Sequence, residues 1–155
     1  MNYDLELSFL EFKKTKRYNE LIKEEKKVMK LVKEFQNKFK KENLYKISVD
    51  DYVLGKNKDT FCYWVENKLN DYGDIHGSTA KKFGIYYGKT NKDSTMKYRW
   101  SKKFSKNVNN ENDVMNNIGL ELSKLVNKDN TKKINLLAKN IISPMFKLKI
   151  LSLYY

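Results

Sequence analysis

Between Lys81 and Lys106 the chain carries nine lysine or arginine residues against one acid, Asp93, so this stretch alone holds +8 of a formal net charge of +13. Aromatic residues interleave with the cations, and Lys82, Tyr86, Lys89, Lys97, Arg99, Trp100, Lys102 and Lys103 are the candidate contact residues. Ammonium groups neutralise phosphates and rings offer stacking surface worth roughly 1 to 3 kcal/mol per base, so the pattern suits contact with a nucleic acid. Arg99 is the best placed for a bidentate contact. The same pattern also suits a solvated outer strand whose lysines protect an edge from pairing with another chain.

Just upstream, Gly77 exposes backbone amides and Ser78 and Thr79 carry hydroxyls, a combination able to hold a phosphate oxygen or simply to connect a helix to a strand. His76 is the only histidine. No second histidine or cysteine stands at metal-ligand spacing and no serine sits in a strained nucleophile turn, so neither a metal centre nor a catalytic role is expected, and His76 should be a loop residue without a partner. Asp50 and Asp51 are adjacent, and neighbouring side chains diverge. A phosphate-cradling GxxxxGK[ST] loop is absent from the sequence. No cofactor is implied by these residues. The single cysteine, Cys62, lies among apolar residues and reads as a small buried hydrophobe.

The elements that must position these residues follow from periodicity. Phe83, Ile85 and Tyr87 alternate with polar or small residues, as do Met96, Tyr98 and Trp100, which predicts a β-hairpin with those six on one inward face and the polar turn KTNKDS as its tip. Ahead of it, Asp59 is placed to cap a helix with Phe61, Trp64, Val65, Leu69 and Tyr72 in one stripe, ended by Gly73. From Ser8 to Glu42 there is no Gly or Pro, and Tyr18, Leu21, Val28, Val32, Phe35 and Phe39 recur at helical steps, which predicts one long amphipathic helix. Later helices are predicted from Val114, Ile118, Leu122, Leu125 and Val126, over 131–142, and from Ser143 and Pro144 onward. The expected fold is α+β, mainly helical with a central β-hairpin or small antiparallel sheet. Residues 1–43 are expected to form the long helix and 44–155 an α+β domain, truncated at its carboxyl end, that carries the nucleic-acid-recognition surface.

A chain of 155 residues with 40% hydrophobic content can build one core, so disorder throughout is excluded. Net positive charge points to an acidic partner, although nearly all of the cations are lysines, which also fits compositional drift. The amino terminus MNYDLELSFLEF is acidic where a secretory signal is basic, and no apolar run reaches about 18 residues, so a cytoplasmic protein without a membrane partner is expected. The final PMFKLKILSLYY is apolar to its end, which suggests an ancestor that continued past Tyr155.

The strings YVLGKNKDTFCYWVENKL, DIHGSTAKKFGIYYGK, KYRWSKKF and SPMFKLKILSLYY, in this order from Tyr52 to Tyr155, resemble the amino-terminal region of the 5-methylcytosine-specific restriction enzyme B family, the McrB-like AAA-family nucleotidases. FCYW at 61–64 and KFGIYYGK at 82–89 are the most specific elements. The resemblance implies a module that recognises DNA, with modified bases as the family's target, beside an AAA motor and a nuclease encoded separately. It places the motor after Tyr155, so nucleotide hydrolysis and cleavage are not carried over and this chain is expected to be no enzyme. The alternative from another class is a structural or interaction protein that docks a partner through the long amino-terminal helix.

Overall fold

Phe61 fixes where the helices meet. Its ring lies 5.2 Å, centroid to centroid, from both Phe35 and Phe39, stacks on Tyr52 at 5.6 Å and meets Phe146 edge-on at 6.3 Å. Phe35 also packs on Trp64 and Tyr154, and Phe83 on Phe146. The computed structural model describes residues 3–106, 108, 110–127 and 138–155. Its elements in order are helices α1 (Tyr3–Lys13) and α2 (Lys16–Lys38), a 3-10 turn (Lys41–Lys46), α3 (Val49–Tyr52) and α4 (Phe61–Tyr63). The last runs into a π turn (Trp64–Lys68) and a 3-10 turn (Asn70–Tyr72). There follow α5 (Thr79–Phe83), strands β1 (Ile85–Thr90) and β2 (Asp93–Trp100), a 3-10 turn (Lys102–Phe104), α6 (Glu111–Val126) and α7 (Pro144–Tyr154). The protein is α+β, mainly helical with one two-stranded antiparallel sheet, as its periodicities predict.

The long amino-terminal helix is divided. Thr15 has extended backbone angles (φ −77°, ψ 153°); its hydroxyl accepts from the Tyr18 amide at 3.1 Å and donates to the Phe12 carbonyl at 2.7 Å. One hydroxyl thus starts α2 and satisfies a carbonyl at the end of α1. Helix α2 ends at Lys38, short of the expected Glu42. Of the expected stripe only Val32, Phe35 and Phe39 are buried; Tyr18 and Val28 are half-buried and Leu21 is exposed. The carboxyl end of α2 therefore shares the core of the 44–155 stretch, while its first half and α1 form an arm.

The helix expected between Asp59 and Gly73 is irregular. Thr60 is the cap, accepting from the Tyr63 amide at 3.3 Å, and the backbone widens at once so that the Leu69 amide donates to the Trp64 carbonyl at 2.9 Å. Asp59 serves as a junction instead. It accepts from Lys38 at 2.6 Å, from the Trp64 indole at 2.7 Å and from Lys68 at 3.1 Å, and these donors, Lys38 foremost, hold its carboxyl far below the usual range. Trp64 and Phe61 are core side chains and Cys62 is fully buried, which pushes its thiol well above its ordinary pKa.

Helix α6 forms as its spacing predicts, capped by Asn110, whose side chain accepts from the Asn112 and Asp113 amides at 2.9 and 3.0 Å. It lies against the 41–46 turn so closely that a Cβ on Gly119 would stand 2.7 Å from the Tyr45 carbonyl oxygen. Helix α7 starts at Ser143 and Pro144 as expected and buries Phe146, Ile150, Leu153 and Tyr154; the Ser143 hydroxyl donates to the Lys82 carbonyl at 3.1 Å rather than capping. The helix expected over 131–142 lies for the most part outside the described residues.

Gly119→Ala separates helix propensity from packing. Alanine favours a helix interior by about 1 kcal/mol, but the added methyl meets the fixed Tyr45 carbonyl, and overpacking of this kind costs about 1 to 3 kcal/mol. The urea midpoint of the variant should fall; a midpoint that rises would mean the 41–46 turn yields freely.

Candidate nucleic-acid interface

The hairpin pairs Ile85 with Trp100, Tyr86 with Arg99, Tyr87 with Tyr98, Gly88 with Lys97 and Thr90 with Asp93, leaving a two-residue tip at Asn91 and Lys92, tighter than the expected loop. An irregularity between Gly88 and Thr90 adjusts the register. At the base the inward face is as predicted. Ile85 is buried, Phe83 is buried at the end of α5 rather than in the strand, and Tyr87, Tyr98 and Trp100 are half-buried against the core. Met96, nearer the tip, is exposed. A single bridge joins Leu54 to the hairpin, with the Tyr87 amide donating to the Leu54 carbonyl at 2.9 Å.

The inward tyrosines anchor the ribbon to the 48–56 segment. Tyr98 donates its hydroxyl to Asp50, Lys56 donates to the Tyr98 oxygen at 3.0 Å, and Lys56 and Asp50 pair at 3.1 Å. These bonds, Tyr98 first and Lys56 second, lower the Asp50 pKa. Asp51 accepts from the Ser48 hydroxyl at 2.6 Å, so the two adjacent carboxylates point to different partners.

On the outward face Arg99 is not the free fork that its chemistry suggested. Its Nε donates to the Gly88 carbonyl at 2.8 Å, one terminal nitrogen donates to the carbonyls of Asp93 and Thr95 at 3.2 and 3.1 Å, and the same nitrogen stands 2.9 Å from the Asp93 carboxylate. Lys97 pairs with that carboxylate at 2.7 Å while remaining exposed. Asp93 is accordingly held far below the usual carboxylate range, by Lys97 first, then the Thr95 amide and Arg99. Arg99 is a clamp within the hairpin because the sole acid of the stretch lies within its reach.

Lys82 is also withdrawn from the expected set. It is 7% exposed, paired with Glu66 and donating to the Ile75 carbonyl at 3.3 Å, because α5 turns it toward the loop it follows rather than toward solvent. Trp100 lies on the inward face, half-buried. Tyr86 remains outward and half-buried, its ring over Gly88, where a Cβ would come within 3.2 Å of it. Lys89, Lys102, Lys103 and Lys106 are exposed and make no ion pair among the described residues. On α7 the half-buried Lys147 is turned inward and donates to the Asn140 carbonyl at 2.9 Å; burial lowers its pKa, the Glu121 carboxylate opposes that shift and the Lys103 charge adds to it.

Gly77 and Ser78 are exposed and Thr79 is half-buried at the start of the five-residue α5. No hydrogen bond or ion pair among the described residues joins them to the hairpin lysines. The loop ahead of them is pinned from within. Lys149, 6% exposed, donates to the carbonyls of Leu69, at 2.8 Å, and Gly73. His76 is solvated, and its Nε2 stands 3.3 Å from the Asp74 carboxylate, so the expectation of a histidine without a partner is corrected. Among the described residues no group of three His, Cys, Asp or Glu side chains converges as a metal site, and no helix is long and apolar enough to cross a membrane. Comparison with family models, curated proteins and solved structures returns no match.

Burial lowers the Lys149 pKa from 10.5 to about 8. Between those values the unfolded chain holds a proton that the folded chain has released, so stability should rise with pH across this window, by at most about 1.4 kcal/mol per pH unit. Urea denaturation from pH 7.5 to 10.5, compared with Lys149→Met, isolates the effect. The difference between the two proteins should grow in favour of wild type as pH rises; a flat difference would place Lys149 in contact with solvent.

Proposed function

We propose that this chain binds DNA, as the recognition module of a modification-dependent restriction system of the kind its sequence resembles. The observation that supports this best is a set of exposed lysines that make no ion pair among the described residues. Lys89 lies on the hairpin, and Lys102, Lys103 and Lys106 lie on the segment that leaves it. The hairpin's one acid, Asp93, is already engaged by Lys97 and Arg99. Cations of this kind contact the phosphate backbone, which fixes a module on nucleic acid without reading bases, and Tyr86 is the outward ring available to a neighbouring base. In this reading nucleotide hydrolysis and cleavage depend on other parts of the system. A second reading, that of a protein-docking module, is favoured by the exposed apolar side chains of α1.

Fluorescence anisotropy with a duplex of about 20 base pairs tests the proposal, because each phosphate contact adds about 0.7 to 0.9 to the log–log salt dependence. Replacing Lys89, Lys97, Lys102 and Lys103 together by glutamine should lower that slope by roughly three units and weaken binding strongly. The same four-charge change at Lys23, Lys26, Lys27 and Lys30, all exposed on α2, should leave the slope nearly intact. Equal losses would reduce the effect to bulk charge. Absence of binding at low salt would leave the protein-docking reading.

A further inference from the structure

Helix α1 is apolar on two opposite sides, and both are exposed along most of their length. Leu5, Phe9 and Phe12 line one side and Leu7 and Leu10 the other, with exposures from 38% to 72%. Packing within the chain reaches this helix at its end, where the Phe12 ring meets Tyr18 edge-on. A helix with apolar residues around its circumference is covered in the state in which it functions. Its polar residues carry the second piece of information. In a chain of net charge +13, α1 contains Asp4, Glu6 and Glu11 against Lys13 alone, and neither Glu6 nor Glu11 has an ion-pair partner among the described residues. Glu11 flanks the Leu5, Phe9 and Phe12 stripe on one side and Glu6 flanks it on the other, by helical spacing. The surface that covers α1 is therefore apolar and basic.

Such a surface exists on the same molecule. A groove of about 460 Å³ is lined by Phe39, Leu44 and Ile47 with Lys38, Lys40 and Lys46 around it. Lys38 is engaged by Asp59, but Lys40 and Lys46 are exposed and make no ion pair among the described residues. The groove's one acid, Asp51, is engaged by the Ser48 hydroxyl. The arm cannot reach the groove of its own chain. Helix α2 is a 23-residue rod, about 34 Å long at 1.5 Å per residue, with α1 joined to its amino end and the groove built at its carboxyl end.

We propose that α1 docks in the Lys38, Lys40 and Lys46 groove of a second copy of this chain. Two α2 rods set side by side and antiparallel bring each α1 to the other's groove, so the exchange is reciprocal and closes as a twofold dimer. Apolar burial supplies the attraction, and the pairing of Glu6 and Glu11 with Lys40 and Lys46 supplies the register. The inference stands apart from DNA binding, since none of the lysines assigned to that function lies in the groove.

Sedimentation velocity of the full chain, over about 1 to 100 μM, tests it with two charge-reversed proteins. One carries Glu6→Lys and Glu11→Lys, the other Lys40→Glu and Lys46→Glu. All four side chains are exposed, and circular dichroism checks that each variant keeps its helices. Wild type should dimerise, and each variant alone should dissociate at least about tenfold more readily, since both of its contacts then oppose like charges. An equimolar mixture of the two should recover the wild-type dimer, because each contact in the mixed pair is again complementary. A wild type that stays monomeric throughout overturns the proposal. So does a mixture no more associated than its components, since that outcome removes the groove as the arm's receptor.

Discussion

The ring of Phe61 is the contact on which the fold most depends. It touches Phe35 and Phe39 from the end of α2, Tyr52 from α3 and Phe146 from α7, so three helices are registered against one side chain of α4. Aromatic pairs at such separations add about 0.5 to 1.5 kcal/mol each beyond the area they bury. The widened turn that follows Phe61 is consistent with this priority. Trp64 and Val65 are both brought into the core, and the helical ladder gives way by one residue where side-chain packing and regular hydrogen bonding compete.

Around this apolar centre the protein buries charge. Lys82 and Lys149 are almost fully enclosed, and both are turned toward the 66–77 stretch, where the carbonyls of Leu69, Gly73 and Ile75 and the Glu66 carboxylate receive them. Carbonyl oxygens in an irregular segment have no helical partners, so an ammonium group with three donors satisfies several at once. The arrangement is incomplete, because Glu66 Oε2 is buried without a hydrogen-bond partner among the described residues. A buried pair of this kind contributes less to net stability than to fixing one conformation, and the conformation fixed here is the path of the loop between Leu69 and Gly77.

What the sequence discloses divides along the range of the interactions. Helix α6 and the alternation at the base of the hairpin are local patterns, written in spacings of two, three and four residues, and they are found where those spacings place them. The break at Thr15 is also local, but a single threonine costs a helical run at most about 0.7 kcal/mol by propensity, which is a weak warning. Arg99 and Lys82 were misplaced for a different reason. Their types imply solvent or ligand, and only the folded chain reveals that Asp93 and Glu66 are already within reach. The setting of Lys147 is legible only in three dimensions, since nothing in residues 143–155 indicates that its ammonium turns back to the Asn140 carbonyl.

The Arg99 clamp has a consequence for how the hairpin would meet any partner. Two-stranded ribbons are marginal on their own and sample many twists. This one is tied at its base by Leu54, along its inward side by Tyr98 to Asp50, and across its outer half by Arg99 to Gly88, Asp93 and Thr95. The arginine given up as a contact holds the backbone that carries Lys89 and Lys97, so little backbone freedom remains to be lost on docking. A partner docking there would meet a preorganised surface, and preorganisation lowers the cost of binding.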